Sequence, residues 1–269
     1  MVASVNSFDT ATKLDIAHSF SQAATSYDAV AGLQRRIGYR LLELAPEGNH
    51  RTVLDLGCGT GYFAPHLQDM FQAEQILGLD MAQGMIDYAK RQSDLPNMRW
   101  CCADAESLPL RDGSLCMIFS NLALQWCSDL SRIMAEAMRV LRPGGCFAFS
   151  TLGPQTLCEL KTAWRQVDDY VHVNHFLGLQ EIQSAIHAAG FIGTAQEEQI
   201  VTQYQQLRGL TGELKSLGAH NLNRGRRVGL TGRSSIQKLL QAYEVYRDDQ
   251  DMLPATYQVY YFVLNKSAK

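Results

Sequence analysis

Between residues 52 and 151, short runs of branched and aromatic apolar residues alternate with helix-patterned or polar segments. The runs are "TVLDL" (52–56), "QILGLD" (75–80), "MRWCCAD" (98–104), "LCMIFSN" (115–121) and "GCFAFST" (145–151). Helical spacing follows the first from around Tyr62 and the second from Gln83. It returns over Leu130 to Leu141, ahead of the turn signal "RPGG". Parallel strands cannot be joined by a tight hairpin and need a crossover, so this alternation predicts βαβ units. Two further strand candidates, "FIGTAQEEQIVTQY" (191–204) and "TYQVYYFVLNK" (256–266), complete the pattern. The expectation is an α/β fold with a doubly wound, mostly parallel, seven-stranded sheet. Such sheets bind ligands in the crevice outside the carboxyl ends of their strands.

The flanks obey other rules. Residues 28–45 carry apolar side chains at helical spacing, closed by Pro46 and Gly48. Helices are expected around Pro154 to Val167 and Leu179 to Ala189. The last two strand candidates are separated by about fifty residues, far more than a hairpin loop requires. The chain is therefore read as one domain, 1–269. Within it lie an N-terminal helical lid (1–48), a ligand-binding core (50–151) and a helical lid-like insertion (203–254).

That insertion holds the chain's sharpest charge asymmetry. From Leu214 to Tyr243 there are six Lys or Arg (Lys215, Arg224, Arg226, Arg227, Arg233, Lys238) and no Asp or Glu, on a chain of net charge −3. A basic stretch on an otherwise acidic protein predicts an anionic partner. Global acidity and the lack of aromatic residues between Arg224 and Arg233 argue against nucleic acid. No apolar run is long enough for a signal peptide or a membrane span, so a cytoplasmic protein with no membrane partner is expected. The cysteines lack C-x-x-C spacing, and His172 and His175 have no Cys nearby. They are read as surface or helix-capping residues, and no metal site is expected.

"VLDLGCGTG" (53–61) runs from a strand into a glycine turn, where Gly57, Gly59 and Gly61 would let a ligand approach the backbone. Asp80 ends the second strand, at the position where an acid can grip ribose hydroxyls, and Asp104 ends the third. Tyr62 follows Gly61, so the spacing is not the G-x-G-x-x-G of a dehydrogenase. The Lys-Ser/Thr of a phosphate loop is missing too. A ligand with a ribose but no phosphate fits best.

These residues resemble the first motif of the class I S-adenosylmethionine-dependent methyltransferases, across roughly residues 50 to 150. The resemblance implies a Rossmann-like methyltransferase fold with S-adenosylmethionine as cofactor. It implies that Asp55, with the backbone at Gly57 and Gly59, holds the amino-acid end, and that Gly61 belongs to the same cofactor-binding turn. Asp80 would bind the ribose, Met81 would pack on the adenine, and Asp104 and Ala105 would reach its edge. Ser120 and Asn121 would face the amino group and sulfonium. "SNLALQW" (120–126) lacks the N/D-P-P-Y/F segment of enzymes that methylate base amines, and Trp126 is read as core filling.

The second half, through "FSTLGPQTLCELKTAW", "LKSLGAHNLNRGRRVGLTGR", "AYEVYR" and "LPATYQVYYFVL", resembles the malonyl-acyl-carrier-protein O-methyltransferases of biotin synthesis. That resemblance implies methylation of a malonyl carboxylate carried on an acidic acyl carrier protein. The basic window would then meet two anions, the carrier and the carboxylate. Arg226 or Arg227 would grip the carboxylate, Arg233 and Lys238 would steer the carrier, and His220 and Asn221 would orient the lid. Tyr27 would share the substrate site. The nucleophile is already ionised at neutral pH, so no general base is expected. Methylation of a free small carboxylic acid stays open as an alternative, as does, more remotely, a cofactor module that binds RNA.

Overall fold

The structure, a computed structural model, describes residues 13–219 and 232–268. The elements run α1 (Lys13–Ala23), α2 (Tyr27–Val30), α3 (Gly32–Leu44), β1 (Thr52–Leu56), α4 (Ala64–Phe71), β2 (Gln75–Asp80), α5 (Gln83–Gln92) and β3 (Met98–Cys102). They continue with β4 (Leu115–Asn121), α6 (Leu130–Val140), β5 (Leu141–Leu152), α7 (Cys158–Arg165), α8 (Leu179–Ala188), β6 (Ile192–Tyr204), α9 (Leu207–Ser216), α10 (Arg233–Tyr243) and β7 (Leu253–Asn265). The seven strands form one sheet in the order β3-β2-β1-β4-β5-β7-β6. Pairings among β1 to β5 are parallel, and β7 runs antiparallel to both β5 and β6. This is the doubly wound, mostly parallel sheet expected from the alternation.

Strand parity sorts the core into two layers, because successive side chains leave opposite faces of a strand. On β4, Met117 and Phe119 join one buried cluster and Ile118 the other. On β5, Cys146 and Ala148 alternate with Phe147 and Phe149 in the same way, and on β7 Val259 and Tyr261 alternate with Tyr260 and Phe262. Strands buried on both faces read as continuous apolar runs, which is why β1, β2 and β4 begin and end where the sequence places them.

Two local details differ from the sequence expectation. The helix over 28–45 is broken at Ala31 (φ −81°, ψ 30°) into α2 and α3. "RPGG" is not a turn before β5 but a bulge inside it. Leu115 pairs with Leu141, and the register has jumped by the time Met117 pairs with Cys146.

The chain leaves β1 toward β2 and β3 on one side, then returns to β4 and β5 on the other. The crevice this opens at the carboxyl ends of β1 and β4 is where a ligand fits. Trp100 on β3 braces one wall. A Cβ placed on Gly61 would lie 2.4 Å from its Cη2, and one on Gly78 would lie 2.6 Å from its Cε3. Gly61→Ala should therefore cost about 1–3 kcal/mol by overpacking against the indole. A urea titration should show a lower midpoint with an unchanged slope.

Candidate active site

The glycine turn is held from behind. The backbone N–H groups of Gly57 and Cys58 both donate to the Leu79 carbonyl, at 2.7 and 3.1 Å. Gly57, Gly59 and Gly61 have φ of +74°, +54° and +79°, in the left-handed region. Gly59 N donates to Asp80 Oδ2 at 2.9 Å and Ala82 N to Asp80 Oδ1 at 2.8 Å. The Asp80 carboxylate thus ties the turn to the end of β2, and each oxygen keeps a lone pair for a ligand. A Cβ on Gly59 would meet nothing within 4 Å, so this residue fronts open space.

That space is a cavity whose core-side wall includes Gly57, Gly59, Asp80 and Met81. Asp104, Ala105 and Asn121 line it as well. Asp55 lies in an adjoining recess with Tyr27, Gln34 and Thr60. It is 3% exposed, and its Oδ2 has no hydrogen-bond partner among the described residues. Burial, and then the charge of Asp80, push the Asp55 carboxyl up from 3.8 to about 7. Burial also raises Asp80, against the opposing pull of backbone N–H groups at Ala82, Gly59 and Met81. Asp80 faces the cavity and Asp55 the adjoining recess, and two carboxyls raised side by side in this way favour a positively charged ligand between them.

Other expected residues take different places. Ser120 is fully buried and donates its hydroxyl to the Leu56 carbonyl at 2.7 Å, so it fastens β4 to β1 instead of facing the cofactor. Gly61 lines none of these cavities, and its missing side chain makes room for Trp100. Asn121 keeps its place in the cavity wall while its Nδ2 donates to the Gln34 carbonyl at 2.9 Å and its Oδ1 accepts from Ser150 Oγ at 2.8 Å. Trp126 is half-buried and lines the cavity with its ring edge-on to Phe20, 5.2 Å between centroids, instead of filling the core. Arg233 and Lys238 are exposed on α10, whereas His220, Asn221, Arg226 and Arg227 lie outside the described residues.

The outer wall is N-terminal. Lys13 on α1 pairs with Asp104 at 2.6 Å and Glu106 at 2.7 Å. Burial works to raise the Glu106 carboxyl, but hydrogen bonds from Lys13, Ser128 and Asp129 outweigh it and hold it below the usual value. Thr60 Oγ1 donates to Asp28 Oδ1 at 2.9 Å, pinning α2 to the glycine turn. Tyr27 consequently stands where three cavities meet, and its phenol is raised by burial and then by the charges of Asp80 and Asp28.

A second, largely apolar chamber adjoins the first and shares Phe20, Tyr27, Leu122 and Trp126 with it. Leu122 holds a left-handed φ of +51°, with its N–H bonded to the Ser150 carbonyl and hydroxyl. Leu214, Leu217 and Ala219, the start of the basic window, form part of the chamber wall. His172 lines it too, a residue the sequence offered as surface. Lys13, Phe20 and His172 carry no motif, so only the folded arrangement brings them to the site.

Fold and crevice together define an S-adenosylmethionine-dependent methyltransferase. A model of a methyltransferase domain matches residues 54–149. The YcgJ protein of Bacillus subtilis shares the fold, with a TM-score of 0.63 at 18% identity over 87% of this chain and 99% of that one. So does the Haemonchus contortus phosphoethanolamine N-methyltransferase 2 solved with S-adenosyl-L-methionine (TM-score 0.57, 16% identity, 92% of this chain and 57% of that one). Among curated proteins, the malonyl-[acyl-carrier protein] O-methyltransferase of Hahella chejuensis is 40% identical over 92% of this chain and 88% of its own length. The biotin biosynthesis bifunctional protein BioHC of Cellvibrio japonicus is 48% identical over 94% of this chain, which spans 50% of that longer relative. The chain belongs to the malonyl-[acyl-carrier protein] O-methyltransferase family.

The orphaned Asp55 oxygen and the open space over Gly59 fit a cofactor bearing an ammonium and a sulfonium. Without such a cation, Asp55 is a burden that grows with pH. Its native value of about 7 exceeds the unfolded 3.8, so the native state binds more protons across that window and stability falls as pH rises through it. Asp80, also raised, adds the same sign. The melting temperature of the cofactor-free protein should fall less for Asp55→Asn than for the parent between about pH 5 and 7.5. Parallel curves for the two proteins would remove Asp55 from this role.

Proposed function

We propose that the protein transfers a methyl group from S-adenosylmethionine to the free carboxylate of a malonyl group on acyl carrier protein, giving the malonyl methyl ester that starts pimeloyl chain building for biotin. The observation that carries this reading is the shared wall. The cofactor cavity and an apolar chamber meet at Phe20, Tyr27, Leu122 and Trp126, so a donor and an acyl arm can meet end to end. The names of the curated relatives support the same substrate.

In this reading Asp55 holds the cofactor's ammonium and Asp80 its ribose hydroxyls. Met81 packs on the adenine, and Asp104 with Ala105 borders its edge. When bound, the cofactor supplies an electrophilic methyl: a carboxylate lone pair forms the O–C bond while the C–S pair returns to sulfur, and no proton moves. The chain's own work is to align the oxygen at about 3 Å and to strip water from it. The N-terminal helices, acting as a lid over residues 50–151, exclude that water. Insertion 203–254 supplies the substrate side. Arg233 and Lys238 on the exposed face of α10 suit steering of an acidic carrier, and the window's first residues already line the chamber.

Incubating malonyl carrier protein with enzyme and cofactor should add the mass of one methylene, located on the malonyl group by fragmentation. Equal turnover of free malonate would move the substrate to a small acid. Asp80→Ala should weaken cofactor binding about tenfold or more by calorimetry, since hydrogen bonds to a charged acceptor are worth about 1.5–3 kcal/mol. Unchanged affinity in a folded variant rejects the ribose assignment.

A further inference from the structure

The second chamber contains an unexplained polar device. Of its described lining residues, His172 is the one able to carry positive charge. It lies in the loop between α7 and α8 and is fixed from two directions. Its Nε2 is 2.6 Å from Asp168 Oδ1, and its ring stacks flat on the Trp164 indole, 3.5 Å between centroids and 3° from parallel. Asp168 is held in turn, its Oδ1 also accepting the Tyr170 N–H at 3.1 Å. Its Oδ2 is buried with no partner among the described residues. Both side chains are largely buried, at 14% and 18% exposure.

The carboxylate at the ring edge and the indole against the ring plane fix the position of the imidazole before a ligand arrives. With Nε2 committed to Asp168, Nδ1 is the nitrogen left to meet a ligand, since no described residue bonds it. We propose that His172, oriented by Asp168 and Trp164, binds the free carboxylate of the substrate through Nδ1 in the second chamber. This rests on the malonyl-carrier reading and names the group that selects the acyl end. A single N–H engages one carboxylate oxygen and leaves the other with its lone pairs, whereas an arginine fork engages both. The chamber's remaining wall sets leucines and aromatic rings beside the neutral polar groups of Gln34, Gln125, Thr156 and Asn174, which suits the uncharged thioester arm behind that carboxylate.

The test compares carriers that differ only in the carboxylate. Full-length protein loaded with S-adenosylhomocysteine is titrated with malonyl and with acetyl carrier protein. The parent should prefer malonyl. His172→Gln should lose about tenfold or more of that preference, with acetyl-carrier and S-adenosylhomocysteine affinities unchanged. A variant that keeps the full preference overturns the role of His172 and leaves the methyl-transfer reading standing. A parent with no preference rejects the malonyl substrate, and this inference with it. Should His172→Gln fail to bind S-adenosylhomocysteine, the parent decides by nitrogen NMR. Both His172 nitrogens should carry protons in the malonyl complex, and the Nδ1–H signal should respond to malonyl but not to acetyl carrier protein. The same response to both carriers overturns the proposal.

Discussion

The Asp80 carboxylate joins the two pieces of backbone on which the rest of the site is hung. One oxygen takes the Gly59 N–H from the turn after β1, and the other takes the Ala82 N–H at the start of α5. The turn can then stay open over Gly59 without a side chain to prop it. The cost is electrostatic, because Asp55 sits buried next door and feels the Asp80 charge. A crevice built on two neighbouring carboxylates is at its most strained when empty and ionised, and a cationic ligand relieves that strain. Selectivity for a charged donor therefore follows from the same contacts that shape the turn.

The N-terminal helices complete the crevice through contacts that are individually modest. Lys13 bridges Asp104 and Glu106, Asp28 accepts from Thr60, and Gly84 N donates to Ser21 Oγ at 3.1 Å. On its other side α1 reaches the insertion, with Ser19 Oγ donating to the Gly218 carbonyl at 3.0 Å. Ser26 Oγ, just beyond α1, donates to the Ser216 carbonyl at 2.9 Å. The N-terminal helices are thus joined both to the core and to α9, so a ligand on either side bears on the same segment. Polar contacts of this number and exposure open at less cost than the leucine- and phenylalanine-rich core beneath them.

The basic side chains divide into two populations. Arg233 and Lys238 are exposed on α10, where solvation makes any single short-range pairing weak and salt sets how far their attraction reaches. His172 is enclosed, paired and stacked, so its geometry is set before any ligand arrives. Exposed cations act on approach rate and an enclosed, pre-positioned ring acts on position, and the fold keeps the two in separate places.

The sheet and half of the site were legible in the sequence because both are local. Parallel strands buried on two faces write themselves as unbroken apolar runs, so β1, β2 and β4 have the bounds read from "TVLDL", "QILGLD" and "LCMIFSN". A glycine turn at the end of one strand and an acid at the end of the next brought Gly57, Gly59 and Asp80 into view, and the structure lines one cavity with them. Distance along the chain defeated the rest. Gly61 is glycine on account of Trp100, and Ser120 is spent on Leu56. Lys13 meets Asp104 and His172 meets a chamber wall only after the ends of the chain have folded over the crevice. What the sequence alone determined was the order of strands and helices and the chemistry at the first strand ends, since periodicity and turn geometry act between near neighbours. Which side chains close the site, and that His172 stands in the wall of the second chamber, was decided by tertiary packing, because those contacts join residues that no local pattern relates.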